Sequence, residues 1–271
     1  MHTLALKPSE AHVFVEAMGK CSEVLTPTGR YELARLKRDG VLIVAYTSGK
    51  VVFSDFPEGR LADDVLRFLE LGDAVRVPTI GADEAGKGER AGPIVVSSFL
   101  LKDRRERAYA RFAGAMDSKQ MSPQQISLVH SRIRKLAHTG RVLSPQDFNA
   151  QFSNNLNGLL VSLYKSSLEP LLEQAVGAEA IVYIDKFGGK KHDDELRAFV
   201  RGICRDAEVI ITPRAEKYAA VACASVCAKH EYQLWLQSQQ KALGIDFSEL
   251  SRQEIMSLPE RSRLFKLAYI K

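Results

Sequence analysis

The sequence predicts an α/β protein, with a small α+β domain over residues 1–73 followed by a larger domain of alternating strands and helices over residues 78–271. Three observations carry that expectation. Between residues 31 and 55, runs rich in β-branched side chains are broken by Asp39-Gly40 and Ser48-Gly49, dipeptides suited to hairpin turns. From residue 79 onward, short apolar runs (TIGADEAG, GPIVVSSFLL, AIVYID, EVIIT) alternate with longer stretches of helical period. The junction, Asp73 to Pro78, follows neither pattern.

Taken in order, PSEAHVFVEAMG at 8–19 reads as an amphipathic helix started by Pro8 and Ser9, with Ala11, Val13, Val15 and Met18 facing inward. YELARLKRDG and VLIVAYTSGKVVFSD supply two or three strands, and LADDVLRFLELG at 61–72 returns to helical period and stops at Gly72. Helical patterns then occupy about 103–113, 122–137 and 155–175. AIVYID, 180–185, reads as a central strand ending in a carboxylate. A helix near 192–203, the strand EVIIT at 208–212 and an Ala-rich helix from about 217 complete the alternation. No internal repeat and no low-complexity segment interrupts it.

Bulk properties narrow the function only slightly. No apolar run reaches eighteen residues, and the N-terminus lacks the basic and apolar segments of a secretory signal, so a cytoplasmic protein without membrane contact is expected. Four cysteines include no C-x-x-C pair; Cys223 and Cys227, one helical turn apart, read as small buried side chains. A net charge of +5 and a pI near 9.0 fit a polyanionic partner without demanding one.

The chemistry lies in four carboxylates. Asp83 and Glu84 follow a short apolar run and precede the turn Ala85-Gly86-Lys87-Gly88; successive strand residues face opposite ways, so one site uses both only where the turn begins. Asp185 ends the most apolar short strand of the chain, where a carboxylate needs either solvent or a cation. Glu216 precedes the Ala-rich helix, whose N-terminal amides favour negative charge. Carboxylates without histidine or cysteine select hard cations, Mg²⁺ or Mn²⁺, and two such ions about 3.5 to 4 Å apart suit phosphodiester hydrolysis. Gly86 and Gly88 let backbone approach a nucleic-acid strand, and Lys87 meets a phosphate. The turn is too short for a dinucleotide fingerprint and lacks the Gly-Lys-Ser/Thr of a P-loop.

The run Gly81 to Gly88 followed by Ala91-Gly92-Pro93-Ile94-Val95-Val96 resembles the opening motif of type 2 ribonucleases H. Asp117-Ser118-Lys119, Tyr183-Ile184-Asp185, and Ala220 to Ser225 with Ala228-Lys229 match further segments in the same order. Asn155-Leu156-Asn157 with Leu159-Leu160 is similar to a motif of ribonucleases HIII, and Tyr46 to Phe53 resembles their N-terminal domain, a fold similar to half of a TATA-binding protein. The likeness spans about residues 28 to 235.

That resemblance implies a ribonuclease H-like catalytic domain with a central mixed sheet flanked by helices, preceded by a TATA-binding-protein-like substrate-binding domain. It implies that Asp83, Glu84 and Asp185 bind catalytic metal and that Glu216 fills the fourth place, as glutamate does in HIII-like enzymes, although its spacing to Val221 is one residue short of the family pattern. The implied reaction is hydrolysis of the RNA strand of RNA/DNA hybrids, leaving 3′-hydroxyl and 5′-phosphate ends, by a monomer without an obligate protein partner. Arg35, Lys37, Arg38 and Lys50 are candidates to grip the hybrid by its phosphates, the Gly86-Lys87-Gly88 turn to read the 2′-hydroxyl, and Lys119 to hold a phosphate. Ribonucleases HII differ in carrying a tyrosine beyond the Ala-rich helix that supports cutting at single ribonucleotides; the tail from Gly244 shows no matching segment, and Tyr232 and Tyr269 stand in the wrong contexts. Cleavage at single ribonucleotides in DNA, hybrid binding without turnover, and small-molecule phosphotransfer are the rival readings.

Overall fold

The structure, a computed structural model, describes residues 1–270. The chain divides into two compact units, Met1–Arg76 with Asp103–Ala115, and Val77–Lys102 with Met116 onward. The first contains β1 (His2–Ala5), α1 (Pro8–Gly19), β2 (Glu23–Leu25), β3 (Glu32–Arg38), β4 (Val41–Tyr46), β5 (Lys50–Phe53), α2 (Gly59–Leu71) and, from later in the chain, α3 (Arg104–Ala113).

Its strands form one antiparallel sheet in the order β1-β5-β4-β3-β2. Asp39 and Gly40 both adopt positive φ, as a tight hairpin between β3 and β4 requires. One sheet face, with Leu36, Ile43, Val51 and Phe53, packs against Phe14 and Met18 of α1 and Leu61, Val65 and Leu69 of α2. In α1, Ala11 and Met18 are buried as expected, but Phe14, fully buried, takes the place expected of Val13, which is 58% exposed. The larger ring takes the core position and turns its neighbour outward.

Helix α3 corrects the expected boundary. Its Ala108 and Phe112 join the first unit's core, and Arg107 is ion-paired to Asp73 (Nε to Oδ2, 2.5 Å) while donating to the Val75 carbonyl. The apolar face of α3 complements a core built some thirty residues upstream, a long-range match that local periodicity does not encode.

The second unit contains β6 (Thr79–Ala85), β7 (Ile94–Leu101), α4 (Pro123–Ile133), β8 (Ala137–Leu143), α5 (Pro145–Gln151), α6 (Leu156–Glu173), β9 (Ile181–Asp185), α7 (Lys190–Ile203), β10 (Glu208–Thr212), α8 (Ala219–Leu243), α9 (Arg252–Ser257) and α10 (Arg261–Leu264). The sheet is mixed, in the order β10-β9-β6-β7-β8: β10, β9 and β6 run parallel, and β7 and β8 extend it antiparallel. Residues 137–143, of which only Ala137 fell within an expected helix and the rest within no expected element, form its edge strand.

Ile80, Ala82, Val96 and Leu100 face α6 and α7, meeting Tyr164, Leu168, Leu196 and Val200. The opposite face receives α8. There Gly81 is obligatory, because a Cβ would lie 2.3 Å from the Val221 amide nitrogen and 2.4 Å from the Ala220 carbonyl carbon. The alanine run of α8 and the glycine of β6 together let helix and strand backbones touch. Cys223 and Cys227 are buried in this contact as free thiols, and burial pushes the Cys227 thiol up to about 11. Among the described residues no helix is long and apolar enough to cross a membrane.

Candidate active site

Strands β6 and β9 run side by side with Ala82 opposite Ile184. One residue further along each strand stand Asp83 and Asp185, so two carboxylates meet at the carboxyl ends of adjacent parallel strands, where α/β sheets expose polar groups to a crevice.

Alternation sends Asp83 and Glu84 to different helices. Asp83 faces α8, where the Ser225 hydroxyl donates to it; Ser118 lies 2.8 Å from the same Ser225 oxygen and supplies the next proton in the chain. Asp83 also accepts the Glu84 amide at 2.8 Å. Burial pushes its carboxyl up to about 8, helped by the Glu84 charge and, less, by Asp185, against the pull of those two hydrogen bonds.

Glu84 faces α6. It accepts the Tyr164 hydroxyl at Oε2, and Lys87 Nζ lies 2.7 Å from Oε1. Burial, followed by the charges of Glu84 and Asp83, holds the Tyr164 hydroxyl well above its ordinary range and keeps it a donor. Asp185 accepts the Ala215 amide at 3.0 Å, which docks the 215–217 turn on the end of β9.

Glu216 is half-buried on that turn, ahead of α8 rather than within its first turn. The structure thus brings Asp83, Glu84 and Asp185 to adjoining strand ends and sets Glu216 beside Asp185's partner. Among the described residues, no three of these four carboxylates place oxygens within 4.8 Å of one another. The donor set is nonetheless that of a hard cation, and a carboxyl such as Asp83, whose proton affinity neighbouring carboxylates help to raise, is what a divalent ion would neutralise.

The glycine turn is rigid on one side and open on the other. Gly86 has φ +80°, and a Cβ there would lie 2.1 Å from the Pro93 oxygen and under 3 Å from the Tyr232 ring. Gly88 has open space around it. Lys87, expected to reach a phosphate, instead spends its ammonium on Glu84, while its carbonyl accepts the Tyr269 hydroxyl at 3.0 Å. Tyr232 donates to the Ala91 carbonyl at 3.1 Å. Lys119 is exposed on a single turn held by Asp117, whose Oδ1 accepts the Lys119 amide.

In the first unit, Arg35 and Lys37 of β3 and Lys50 of β5 lie by alternation on the sheet face opposite α1 and α2. Arg35 is tied to Glu32 (Nη2 to Oε1, 2.8 Å) and to the Thr28 hydroxyl (2.7 Å). Arg38 points to the helical side and pairs with Asp64 of α2 at 2.6 Å, which removes it from the basic face.

Sequence reasoning left Tyr164 without a role, set Tyr232 and Tyr269 aside as standing in the wrong contexts, and quoted Ser225 only as part of a motif. Each acts through a partner at least 80 residues away along the chain, apart from its local pattern. Tyr164 had one local signal, a hydroxyl on the apolar face of a helix, which demands a buried acceptor.

Residues 80–251 match the family model for ribonuclease HII. The chain belongs to that family. It is a type 2 ribonuclease H. Ribonuclease HIII of Streptococcus pneumoniae (strain CGSP14) is 28% identical over 254 residues, covering 90% of this chain and 85% of the relative. The crystal structure of Aquifex aeolicus RNase H3 shares the fold with a TM-score of 0.56 at 21% identity, covering 99% of this chain and all of that one. Bst-RNase HIII, solved in complex with Mn²⁺, does so with a TM-score of 0.59 at 20% identity, covering 98% and 96%. The resemblance to HIII enzymes drawn from the motifs, including an N-terminal antiparallel domain, agrees with these relatives.

Proposed function

We propose that this enzyme hydrolyses the RNA strand of RNA/DNA hybrids with Asp83, Glu84, Asp185 and Glu216 as its metal-binding carboxylates. The observation that carries the reading is the placement of Asp83 and Asp185 one residue beyond the Ala82–Ile184 pair, with Glu84 adjoining. Mg²⁺ or Mn²⁺ held by these carboxylates would supply an activated water and charge stabilisation at the leaving oxygen, which would leave 3′-hydroxyl and 5′-phosphate ends.

The chain's own residues prepare that chemistry. Ser225 and Ser118 orient Asp83, Tyr164 orients Glu84, and the Ala215 amide fixes Asp185. Open space at Gly88 admits a close approach of substrate to backbone, where a 2′-hydroxyl distinguishes RNA from DNA. Lys37, Lys50 and Lys119 are exposed and suited to phosphates.

One observation favours a second specificity. Tyr269, beyond the Ala-rich helix, places its hydroxyl on the Lys87 carbonyl within the glycine turn. A tyrosine there is positioned to support cutting at single ribonucleotides as ribonucleases HII do. The test is cleavage of a continuous RNA/DNA hybrid, a DNA duplex with one ribonucleotide, and all-DNA and all-RNA duplexes, with Mg²⁺ and with Mn²⁺. Cutting of the continuous hybrid alone, lost in Asp185→Asn, supports the first reading. Cutting at the single ribonucleotide that Tyr269→Phe removes supports the second, and hybrid binding without cutting would overturn both.

A further inference from the structure

Away from the carboxylates, α4 and α8 bring His130, His230 and Glu231 together. One ligand atom from each lies within 4.8 Å of the others, the only such trio of histidine, cysteine, aspartate or glutamate among the described residues. The two imidazoles stack with centroids 3.8 Å apart and planes at 13°. Nδ1 of His230 is buried without a hydrogen-bond partner, with Glu231 Oε1 3.8 Å away.

We infer that His130, His230 and Glu231 form a binding site for a borderline transition-metal ion of the Zn²⁺ class, which clamps α4 to α8. Two imidazole nitrogens and one carboxylate are a Zn²⁺, Co²⁺ or Ni²⁺ donor set, and a poor one for Mg²⁺. This separates the site chemically from the all-oxygen cluster at the strand ends. Three protein ligands leave the fourth tetrahedral position to water.

The geometry permits it. Ligand atoms around a tetrahedral ion with bonds of about 2.0 Å stand roughly 3.3 Å apart, so the rings need only tilt out of their stack and draw together. Buried Cys227, one turn earlier on α8, lies outside the trio.

Such an ion acts on position rather than on chemistry: α4 follows the 118–120 turn, α8 carries Ser225, and the turn and α8 supply the hydroxyl pair on Asp83. A metal joining the helices stiffens that support and leaves the reaction itself to the carboxylates.

The test is equilibrium binding of Zn²⁺ and Co²⁺ to the full chain at neutral pH in excess Mg²⁺, which occupies the oxygen ligands, alongside thermal melts. Wild type and Asp185→Asn should each bind one equivalent and melt a few degrees higher with metal, the shift growing with the logarithm of its concentration. Co²⁺ should show the visible absorption of a tetrahedral site. His130→Gln and His230→Gln should weaken binding on the order of 100-fold and lose the melting shift, with Glu231→Gln, a change at an exposed position, weakening it less. Absence of stoichiometric binding, binding retained in both histidine variants, or binding lost in Asp185→Asn would each overturn the proposal.

Discussion

The first unit covers one face of its five-stranded sheet with helices and leaves the other to Arg35, Lys37 and Lys50, whereas the second covers both faces of its five-stranded sheet. On a half-covered sheet, function can spread over a face, one residue in two. On a sheet enclosed by α6 and α8 the faces are spent on packing, and the ends of β6 and β9 are where charged groups gather. Substrate grip in the first case should be shared and soft; catalysis in the second should hang on single atoms.

The largest expected effect tests the strand ends. Asp185→Asn should lower hybrid cleavage by on the order of 10²–10³-fold or more while hybrid binding persists, measured by single-turnover cleavage and a binding titration. A loss below tenfold would mean that the strand ends are not the catalytic centre.

The enclosed face of the second sheet should show the next largest effect. Gly81→Ala forces a methyl group against α8 backbone, and should cost roughly 1–3 kcal/mol, read as a lower urea midpoint. Tyr164→Phe tests a partner rather than packing: it removes the donor to Glu84 and should cut activity about 10–100-fold while the fold is kept.

Much of this architecture is legible in the sequence, and what is not has a physical cause. Hairpin turns, the central strand 181–185 and the alanine-rich helix announce themselves because turn chemistry and apolar period are local. The edge strand 137–143 does not: His138, Gly140 and Arg141 dilute its apolar alternation, and its neighbour β7 supplies the pairing. Helix α3 is legible as a helix but not as a member of the first unit. Asp83, Glu84 and Asp185 stand out as charges at the ends of apolar runs, whereas Ser225, Tyr164 and Tyr269 gain meaning only when the chain folds back. Lys87 and Arg35 show the reverse, since a basic residue that looks free in sequence is held by a nearby glutamate.

On the basic face the same restraint is testable. Glu32→Gln should release Arg35 and raise hybrid affinity a few-fold, with a steeper salt dependence. The same pair has a pH signature. Hydrogen bonds from Arg35 and Thr28 hold the Glu32 carboxyl down at about 2, against 4.5 when unperturbed, so its stabilising contribution is complete above about pH 4.5 and is lost as pH falls toward 2. Acid titration of wild type against Glu32→Gln should show the wild type losing more stability across that window. Smallest of all, Lys37→Ala and Lys50→Ala should each weaken hybrid binding only a few-fold and lower the salt slope by about one. A tenfold loss from either alone would show that the basic face works as a focused site.

Helix α8 also acts as a ruler. Ser225, which steadies Asp83, and Tyr232, which lies under Gly86, are seven residues apart on one continuous helix, a separation of about 10 Å along its axis. The place where a ribose would be recognised and the place where a phosphate would be cut are therefore pinned to the same rod. A residue inserted between them would swing Tyr232 about 100° around the axis and shift the two fixtures out of phase, so that an offset between reading and cutting would be a property of helical pitch, independent of the sequence being cut.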